Sequence, residues 1–464
     1  MMSRQYQANY RWHNHARNVR STVARYYEPT STGEVQQIIL EARRTHKKVR
    51  LVGDGHSWSP LAQTDDYLIG TRRFNRILQV STDPPRITVE PGVTIAATLQ
   101  AYREHHVCLP MNVDIPTLTI GGAVAVGANG FSKEWGTYSD FVQEVEFVTS
   151  TGDIRTINKD QQPHLWRAVA CSLGVCGVFT KITLNLVPMF HVQVINHCLE
   201  MEAALAGMPS VYANHDYVQY FWFPFNRTVT LQTADITKAP RTWTKAKQLR
   251  KNMNGWMETV ATHLAHPLLL GFPQATPRFD RLAARSMQTS PQVMYQSDNM
   301  LLGQWINSMV PSRNASVSFP SGPDDLWMVK AWEMAVDLVD QFAASGRYPA
   351  NLAMNIRLFG KSAVLLHTVP GAEDRPSCNI QITSFNNPHW EAFQQQLMTQ
   401  WLQIPGARPH WAKEYQDIPG IAETLRTVYG ESLERFRHIR EEEGFDPEGM
   451  FVNPFLQDLL FSEA

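Results

Sequence analysis

The chain carries the stretch Val52-Gly53-Asp54-Gly55-His56-Ser57 directly after a short β-branched run that begins at Val49. The run predicts a strand, and the glycines predict a turn whose backbone takes a positive φ angle and approaches a ligand closely. Successive N–H groups in such a turn form an anion-binding concavity. An imidazole beside it can be a ligand, a base or a nucleophile. The stretch therefore predicts a binding loop, with the role of His56 open.

Length and charge limit the classes of protein that the chain can be. A chain of 464 residues is expected to form two or three domains. Its 42 basic and 43 acidic residues nearly cancel, which gives no electrostatic basis for binding nucleic acid or an anionic membrane. We expect no membrane span, because no run approaches 18 apolar residues. Residues 1–20 are polar and basic, unlike a secretory signal, so a cytoplasmic location is expected.

The five cysteines do not form a metal or redox motif. Cys171 and Cys176 lie in the apolar segment Cys-Ser-Leu-Gly-Val-Cys, whose spacing differs from that of a CxxC pair. We therefore expect buried, reduced thiols rather than a disulfide, and no metal site.

The first part of the chain alternates short strands with helices. Ser31-Thr32-Gly33-Glu34 is a capping-box pattern that predicts a helix start. A strand, turn and helix are predicted between Arg86 and Tyr102, a β-hairpin between Phe141 and Ile157, and a strand between Phe179 and Leu186. The glycine-rich stretch from Ile120 to Gly130 is small enough to pack closely against a flat ligand or another backbone.

From about Val192 the pattern changes to longer helices mixed with strands, which predicts a second, α+β domain. The predicted elements are helices over Thr242–His263, Asp325–Ala343, His389–Leu402 and Glu431–Glu443, and strands over Val218–Trp222 and Ala363–His367.

Six motifs occur in the order found in one flavoprotein family. They are Gly53-x-Gly55-His56-Ser57, Val89-Glu90-Pro91-Gly92-Val93, Gly121-Gly122-Ala123, Leu173-Gly174-x-x-Gly177, His410-Trp411-Ala412-Lys413 and Asp446-Pro447-x-Gly449-x-Phe451. The chain resembles the vanillyl-alcohol-oxidase class, specifically the sugar-1,4-lactone oxidases and related alditol oxidases. The resemblance implies an α+β, two-domain fold of the PCMH type. We expect an FAD-binding domain over residues 1–190, a substrate (cap) domain over 191–420, and a C-terminal segment, 421–464, that returns to the FAD domain.

The resemblance also implies FAD as the cofactor, bonded covalently through a ring nitrogen of His56. It assigns the segment from Gly121 to Gly130 to the flavin ring and ribityl chain, and Gly174 to Val178 to the adenine side. The expected cofactor-binding residues are Gly53, Asp54, Gly55, His56, Ser57, Gly121, Gly122, Ala123, Gly127, Asn129, Gly130, Gly174, Gly177, Val178 and Lys413.

Lys413, His410 and Arg357 are the catalytic residues that the resemblance implies. A lysine cation near the flavin N1–C2 carbonyl and the substrate oxygen would stabilise developing negative charge. Arg357, in Met354-Asn355-Ile356-Arg357, matches the second half of a Glu-x-Arg strand motif, and a guanidinium suits bidentate binding of oxygens.

The chain departs from the family pattern at three positions. Asn355 replaces the glutamate of the Glu-x-Arg motif, Asn129 replaces a histidine, and Val113 stands where the lactone oxidases carry a small residue. The resemblance implies that bulk at this last position screens the flavin from oxygen, so oxidase and dehydrogenase activity both stay open. The proton acceptor is not identified, because an asparagine cannot serve.

The expected reaction is hydride transfer from an alcohol carbon of a sugar lactone or polyol to flavin N5, with O2 or another acceptor reoxidising the flavin. The aromatic residues Phe221, Trp222, Phe223 and Phe225 keep a bulkier, apolar alcohol such as a sterol open as the substrate. A non-catalytic flavin-fold binding protein is a further alternative, supported only by the replaced glutamate and histidine.

Overall fold

The computed structural model describes residues 6–111, 113–244, 246–247, 263–287, 289–299, 311–321, 327–369 and 377–462. Across these ranges the chain forms sheets of four, five and eight strands and one two-stranded ladder. Most of the helix predicted over 242–263 lies outside the described residues. The mixture of helices and largely antiparallel sheets confirms the α+β class.

The four-stranded sheet holds the strand that leads to His56. Its strands, in the order β1-β2-β4-β3, are β1 (Tyr6–His13), β2 (Arg20–Tyr27), β4 (Tyr67–Gly70) and β3 (Val49–Val52). The predicted helix is α1 (Thr32–Arg44), whose first turn is capped by the Ser31 side chain. It buries Val35, Ile38 and Ile39 in a hydrophobic cluster that includes Val49 of β3.

The five-stranded sheet is antiparallel and lies next along the chain. Its strands, in the order β5-β6-β10-β8-β9, are β5 (Ile77–Thr82), β6 (Pro85–Val89), β10 (Val178–Asn185), β8 (Val142–Val148) and β9 (Ile154–Asn158). The predicted hairpin is β8 with β9. The helices in this region are α2 (Ile95–His105), α3 (Ile120–Ala125) and one over Pro163–Val169. The pairing of β7 (Val107–Cys108) with β11 (Val187–Pro188) ties the end of α2 to the segment that leaves β10.

The eight-stranded antiparallel sheet begins at His191. Its strands, in order across the sheet, are β15 (Gln292–Tyr295), β12 (His191–Glu200), β14 (Thr228–Thr237), β13 (Tyr217–Trp222), β17 (Met354–Phe359), β18 (Ser377–Phe385), β16 (Ser312–Pro320) and β19 (Arg408–Pro409). The helices of this part of the chain span Met201–Asn214, Thr276–Ser286, Gln296–Asn299, Trp327–Ala344 and Trp390–Trp401.

Strand β18 is buried on both faces but is apolar on only one of them. Cys378, Ile380 and Ile382 belong to the hydrophobic core. The alternate residues, Asn379 and Gln381, are buried and polar. Asn379 accepts from the Ser316 hydroxyl and donates to the Ser318 hydroxyl, both at 3.0 Å, so the polar face is held by hydrogen bonds to β16.

The C-terminal segment returns to the first sheet. Two helices, Ile421–Glu442 and Pro454–Leu460, flank a turn in which Asp446 accepts hydrogen bonds from the backbone N–H groups of Met450 and Phe451. The Val49 N–H donates to the Met450 carbonyl at 3.0 Å. The tail thereby supports the strand that precedes His56.

The predicted strand over Ala363–His367 is wrong. These residues form turns, because their backbone groups bond to side chains and loops rather than to a neighbouring strand. The indole N–H of Trp411 donates to the Leu366 carbonyl at 2.7 Å, and the Ser432 hydroxyl donates to the Leu365 carbonyl at 3.0 Å. The apolar run therefore forms a buried loop.

All five cysteines are free, and Cys171 and Cys176 are buried, as predicted. Within the described ranges, no helix combines the length and apolar character needed to cross a bilayer. The cytoplasmic location stays a prediction.

Candidate functional site

The loop after β3 can pass close to the segment before α3 because residue 53 has no side chain. A Cβ atom on Gly53 would lie 2.1 Å from the Thr119 hydroxyl oxygen, so a larger residue would push the two segments apart. Gly55 has a φ angle of +74°, a conformation that side-chain-bearing residues rarely adopt. The two glycines thus bring His56 against the segment from Val113 to Thr119.

The His56 ring is held through one nitrogen and leaves the other unbonded. Its Nε2 lies 3.0 Å from Asp54 Oδ2 and 3.1 Å from the Thr117 hydroxyl, and the His15 ring stacks on it at 4.3 Å. Nδ1 is buried and has no hydrogen-bond partner among the described residues. Because a carboxylate only accepts, Nε2 carries the proton of the neutral ring and Nδ1 keeps a free lone pair.

Asp54 is the group that fixes this tautomer. Burial raises the pKa of its carboxyl, but hydrogen bonds from His56 and Thr117 outweigh burial and bring the pKa to about 2. Arg72 donates to the second carboxylate oxygen at 2.6 Å. Asp54 is therefore an anion at neutral pH and orients the imidazole.

Two further segments that contain glycines lie in the same site. In α3, the side chain of Thr119 caps the first turn, and a Cβ on Gly122 would meet only the Thr119 hydroxyl, at 3.2 Å. Gly174 has a φ of +72° and lies beside the buried Arg50 guanidinium. Arg50 donates to the carbonyls of Leu61 and Leu173 at 2.7 and 2.8 Å, and also to that of Phe451. It thereby ties the glycine turn at Gly174 to β3 and to the C-terminal tail.

Lys413 enters the site from the loop after β19. The side chain of Glu414 anchors this loop by accepting from Arg313 at 2.6 Å and from the Asn314 N–H at 2.8 Å. Lys413 Nζ lies 4.0 Å from the centroid of the Trp58 ring. Burial and the Arg357 charge lower the pKa of Lys413 to about 7, although Glu414 opposes the shift.

His410 presents a proton to the site rather than a lone pair. The backbone N–H of Ala412 donates to its Nδ1 at 3.1 Å, so the neutral ring carries its proton on Nε2. Burial and the charges of Lys413 and Arg357 lower the pKa of His410 to about 3. His410 therefore stays neutral, with the N–H group at Nε2.

Arg357 is buried on β17 between an amide and a carboxylate. Its Nε donates to the Asn355 side chain, and its Nη2 forms an ion pair with Asp114. Asn355 is held in turn by donating to the Tyr220 carbonyl at 3.1 Å. Burial lowers the pKa of Arg357 to about 10, which leaves it charged at neutral pH.

These side chains line one cavity with about 1510 Å³ of space between atoms, including the part open to solvent. It brings together most of the site residues predicted from the sequence, namely Gly53, Asp54, Gly55, His56, Ser57, Gly121, Gly122, Ala123, Asn129, Gly174, Gly177, Arg357, His410 and Lys413.

Gly127, Gly130 and Val178 are not part of the cavity wall. Gly130 donates its N–H to the Met111 sulfur at 2.9 Å, and Val178 belongs to a hydrophobic cluster with Met450 and Phe451. Gly127 has a φ of +60° at the turn after α3. Each lies close to a wall residue in sequence but serves the packing behind it.

The structure also adds wall residues that no motif indicated. They include Trp58, Asp114, Thr119, Asn379 and Gln381. The alternation of the polar Asn379 and Gln381 with the apolar Cys378, Ile380 and Ile382 is a signal in the sequence that indicates such a position.

The chain is similar to known FAD-binding proteins and to lactone oxidases. An FAD-binding domain family matches residues 23–158, and the D-arabinono-1,4-lactone oxidase family matches residues 182–459. L-gulonolactone oxidase from Bos taurus is 24% identical, over 94% of this chain and 95% of its own. L-gulono-1,4-lactone dehydrogenase from Mycobacterium tuberculosis is 23% identical, over 93% of this chain and 95% of its own.

Solved structures share the fold at low identity. A cholesterol oxidase from Brevibacterium sterolicum superposes with a TM-score of 0.78 at 16% identity, covering 98% of this chain and 97% of its own. A xylooligosaccharide oxidase from Myceliophthora thermophila C1 superposes with a TM-score of 0.68 at 15% identity, covering 96% and 93%. These likenesses confirm the expected flavoprotein fold. Because the lactone-oxidase match spans more than half of the residues, the chain belongs to the D-arabinono-1,4-lactone oxidase family of FAD-dependent oxidoreductases.

Proposed function

We propose that the chain oxidises a hydroxyl-bearing carbon of a sugar lactone or a polyol to a carbonyl, using FAD bonded covalently to His56. The observation that carries the proposal is the convergence of His56 and Lys413 on one cavity, although they lie far apart in sequence. Residues 1–190 would bind the cofactor, residues 191–420 the substrate, and residues 421–464 would complete the cofactor domain.

The wall of the cavity fits FAD. The loop from Gly53 to Ser57 and the glycines at 121, 122 and 174 line the cavity, and Gly122 is exposed, which allows the close approach that a phosphate chain and a flat ring need. When bound, FAD supplies a two-electron oxidant that takes a hydride from the substrate carbon. Lys413, Arg357 and His410 line the same cavity.

His56 Nδ1 is the atom we assign to the covalent bond. It is buried and has no hydrogen-bond partner among the described residues, whereas Nε2 is engaged by Asp54 and Thr117, so in the neutral ring the lone pair lies on Nδ1. A carboxylate that accepts from Nε2–H increases the electron density of the ring, which makes Nδ1 the better nucleophile.

Lys413 and Arg357 would hold the substrate oxygen and stabilise the negative charge that develops on it. Arg357 is a cation at neutral pH and Lys413 is one below about pH 7, and in a largely buried wall charges act more strongly than in water. His410 adds a neutral N–H donor. An anionic or polarised oxygen bound here would raise the pKa of Lys413 from its value of about 7.

A polar substrate suits this wall better than a sterol. Asn379 and Gln381 line the cavity together with Arg357 and His410. The aromatic residues that favoured an apolar alcohol, Phe221, Trp222, Phe223 and Phe225, are not part of the wall. Trp222 instead donates to the Asn226 carbonyl at 2.8 Å, and Phe225 packs edge-on against Tyr348.

Dioxygen is the electron acceptor we propose, with Val113 controlling its access. Val113 lines the cavity and is 5% exposed. A branched side chain at this place narrows the path of a small gas molecule, so the rate of reoxidation by O2 depends on its volume. A slower reaction with O2 would favour another acceptor.

Two measurements on the purified protein test this proposal. Flavin colour should remain in the acid-precipitated pellet, and His56→Ala should release any colour into the supernatant; the exposed His438→Ala is the control. Anaerobic bleaching should be fast with L-gulono-1,4-lactone, D-arabinono-1,4-lactone or xylitol and slow with cholesterol. Fast bleaching by cholesterol alone would favour a sterol substrate, and no bleaching by any alcohol would favour a non-catalytic flavin protein.

A further inference from the structure

Asp114 is a carboxylate in the cavity wall that no sequence motif singled out. Its side chain keeps 21% of its surface exposed, while that of Arg357 keeps 9%. Arg357 Nη2 donates to Asp114 Oδ2, and Lys413 and His410 line the same cavity. The carboxylate is therefore accessible to a ligand and shares the cavity with cations and donors.

The other titratable wall residues are poorly suited to accept a proton. Asp54 is already engaged by His56, Thr117 and Arg72, and its pKa of about 2 makes it a weak base. His410 has its proton on Nε2 and its Nδ1 engaged by Ala412. Lys413 has a lone pair only as the neutral amine, which predominates above its pKa of about 7, so it offers none at lower pH. Among the described wall residues, the carboxylates are Asp54 and Asp114.

Asn355 is neutral and does not balance the charge of Arg357. Asp114, which contacts another nitrogen of the guanidinium, does. The guanidinium contacts Asn355 through Nε and Asp114 through Nη2. Asp114 reaches this point from the segment before α3, whereas Arg357 and Asn355 lie on β17. The chain thus keeps a carboxylate at the arginine, with the carboxylate supplied by a different element.

We infer that Asp114 accepts the proton of the substrate hydroxyl, a role that rests on the proposed function above. The O–H bond breaks and its proton bonds to a carboxylate oxygen of Asp114. The C–H bond also breaks, and its hydrogen leaves with both bonding electrons as a hydride that oxidised FAD accepts. The carbon becomes a carbonyl. The substrate loses two electrons and FAD gains them. Asp114 then returns its proton to solvent through its exposed edge.

The test is anaerobic stopped-flow reduction of the holoenzyme by L-gulono-1,4-lactone or D-arabinono-1,4-lactone, across pH. Asp114→Asn should lower the limiting rate by about 10²–10⁴-fold, the contribution of a general base. It should also abolish the fall in rate at acidic pH that protonation of the carboxylate causes in the wild type. Asp114→Glu should keep that acidic limb.

Asp298→Asn is the matched control, since Asp298 is likewise an aspartate paired with an arginine, Arg103, at 2.5 Å, but lies outside the cavity wall. It should leave the rate and the pH profile unchanged. Colour in the acid-precipitated pellet verifies that each variant has bound FAD. If Asp114→Asn does not fold, Asp114→Ala with added formate provides the test, and formate should restore the rate.

Two results would overturn the inference. One is an Asp114→Asn enzyme that binds substrate more weakly but keeps the limiting rate and the acidic limb, which would make Asp114 a positioning residue for Arg357. The other is an Asp114→Ala enzyme that ignores formate. Failure of the wild type to bleach with any lactone or polyol would instead contradict the proposed function.

Discussion

The ammonium group of Lys413 lies over the indole ring of Trp58, 4.0 Å from its centroid. A cation above an aromatic face is attracted by the negative potential of the ring. The backbone joins the same two segments, because the Trp58 N–H donates to the Ala412 carbonyl at 2.8 Å. A cation–π contact and a backbone hydrogen bond therefore join the loop that contains His56 to the loop that contains Lys413.

We predict that Lys413→Ala raises the barrier to flavin reduction by about 2–4 kcal/mol, the scale of one lost electrostatic stabiliser. Stopped-flow bleaching under anaerobic conditions measures this. Lys330→Ala is the control, because Lys330 also lies over an indole ring, that of Trp327 at 5.3 Å, but on the surface. Equal bleaching rates in the wild type and Lys413→Ala would contradict the assigned role.

The rate of flavin reduction should depend on pH through the ionisation of Lys413. A lowered pKa of about 7 means that the ammonium form is present below this pH and is lost as the pH rises through it. The apparent second-order rate constant for reduction should therefore fall above about pH 7, since this constant reports groups of the free enzyme. Lys413→Arg should lose the alkaline limb because arginine stays charged. A limb that persists in this variant would assign the ionisation to another group.

We predict that Asp54→Asn slows covalent attachment of FAD. The asparagine no longer favours the proton on His56 Nε2, and the lost charge-assisted hydrogen bond is worth about 1.5–3 kcal/mol, or roughly tenfold or more in rate. The time course of acid-insoluble flavin after FAD is added to apoprotein measures the effect. Asp66→Asn, which weakens a partly exposed pair with Lys47 away from the cavity, should attach FAD at the wild-type rate.

Val113→Gly should increase the rate constant for reoxidation by O2 because it removes the branched side chain from the cavity wall. Mixing photoreduced enzyme with oxygenated buffer gives this constant. Anaerobic reduction by substrate serves as the internal control and should change much less. A reoxidation rate that is unaffected would show that Val113 does not control the access of oxygen.

Arg50→Met should lower the free energy of unfolding by about 3 kcal/mol or more, because it leaves the carbonyls of Leu61, Leu173 and Phe451 unpaired. Removing a buried charge offsets part of this loss, since burial lowers the pKa of Arg50 to about 10. Urea unfolding measures the change. Lys48→Met is the control, because the exposed Lys48, close by in sequence, also donates to a carbonyl of the tail, that of Gly449. Equal losses in the two variants would contradict a special role for Arg50.

The sequence alone predicts those turns, helices and strands whose local pattern permits only one stable conformation. The glycines around Asp54 and the capping serine at 31 act within a few residues, so the turn and α1 are found where they were predicted. The hairpin of β8 and β9 results from alternation around Gly152, whose φ angle is +88°. The ordered motifs indicated Lys413 and the Glu-x-Arg match indicated Arg357, and both line one cavity with His56.

The features that escaped prediction depend on contacts between distant segments. Asp114 is a candidate site residue only because β17 brings Arg357 into contact with it. No sequence pattern near position 114 indicates this contact. The segment Ala363–His367 has the composition of a strand, but Trp411 and Ser432 take its carbonyls in place of a strand partner. Gly127, Gly130 and Val178 share the motifs of wall residues yet belong to the packing behind them.

The hydrogen bonds from β3 to Met450 and Phe451 have a consequence for the order of events during biosynthesis. A ribosome releases residues 49–57 long before it makes the tail that holds them in place. The hydrogen bonds that hold β3 to the tail therefore form only after residues 450 and 451 have been made.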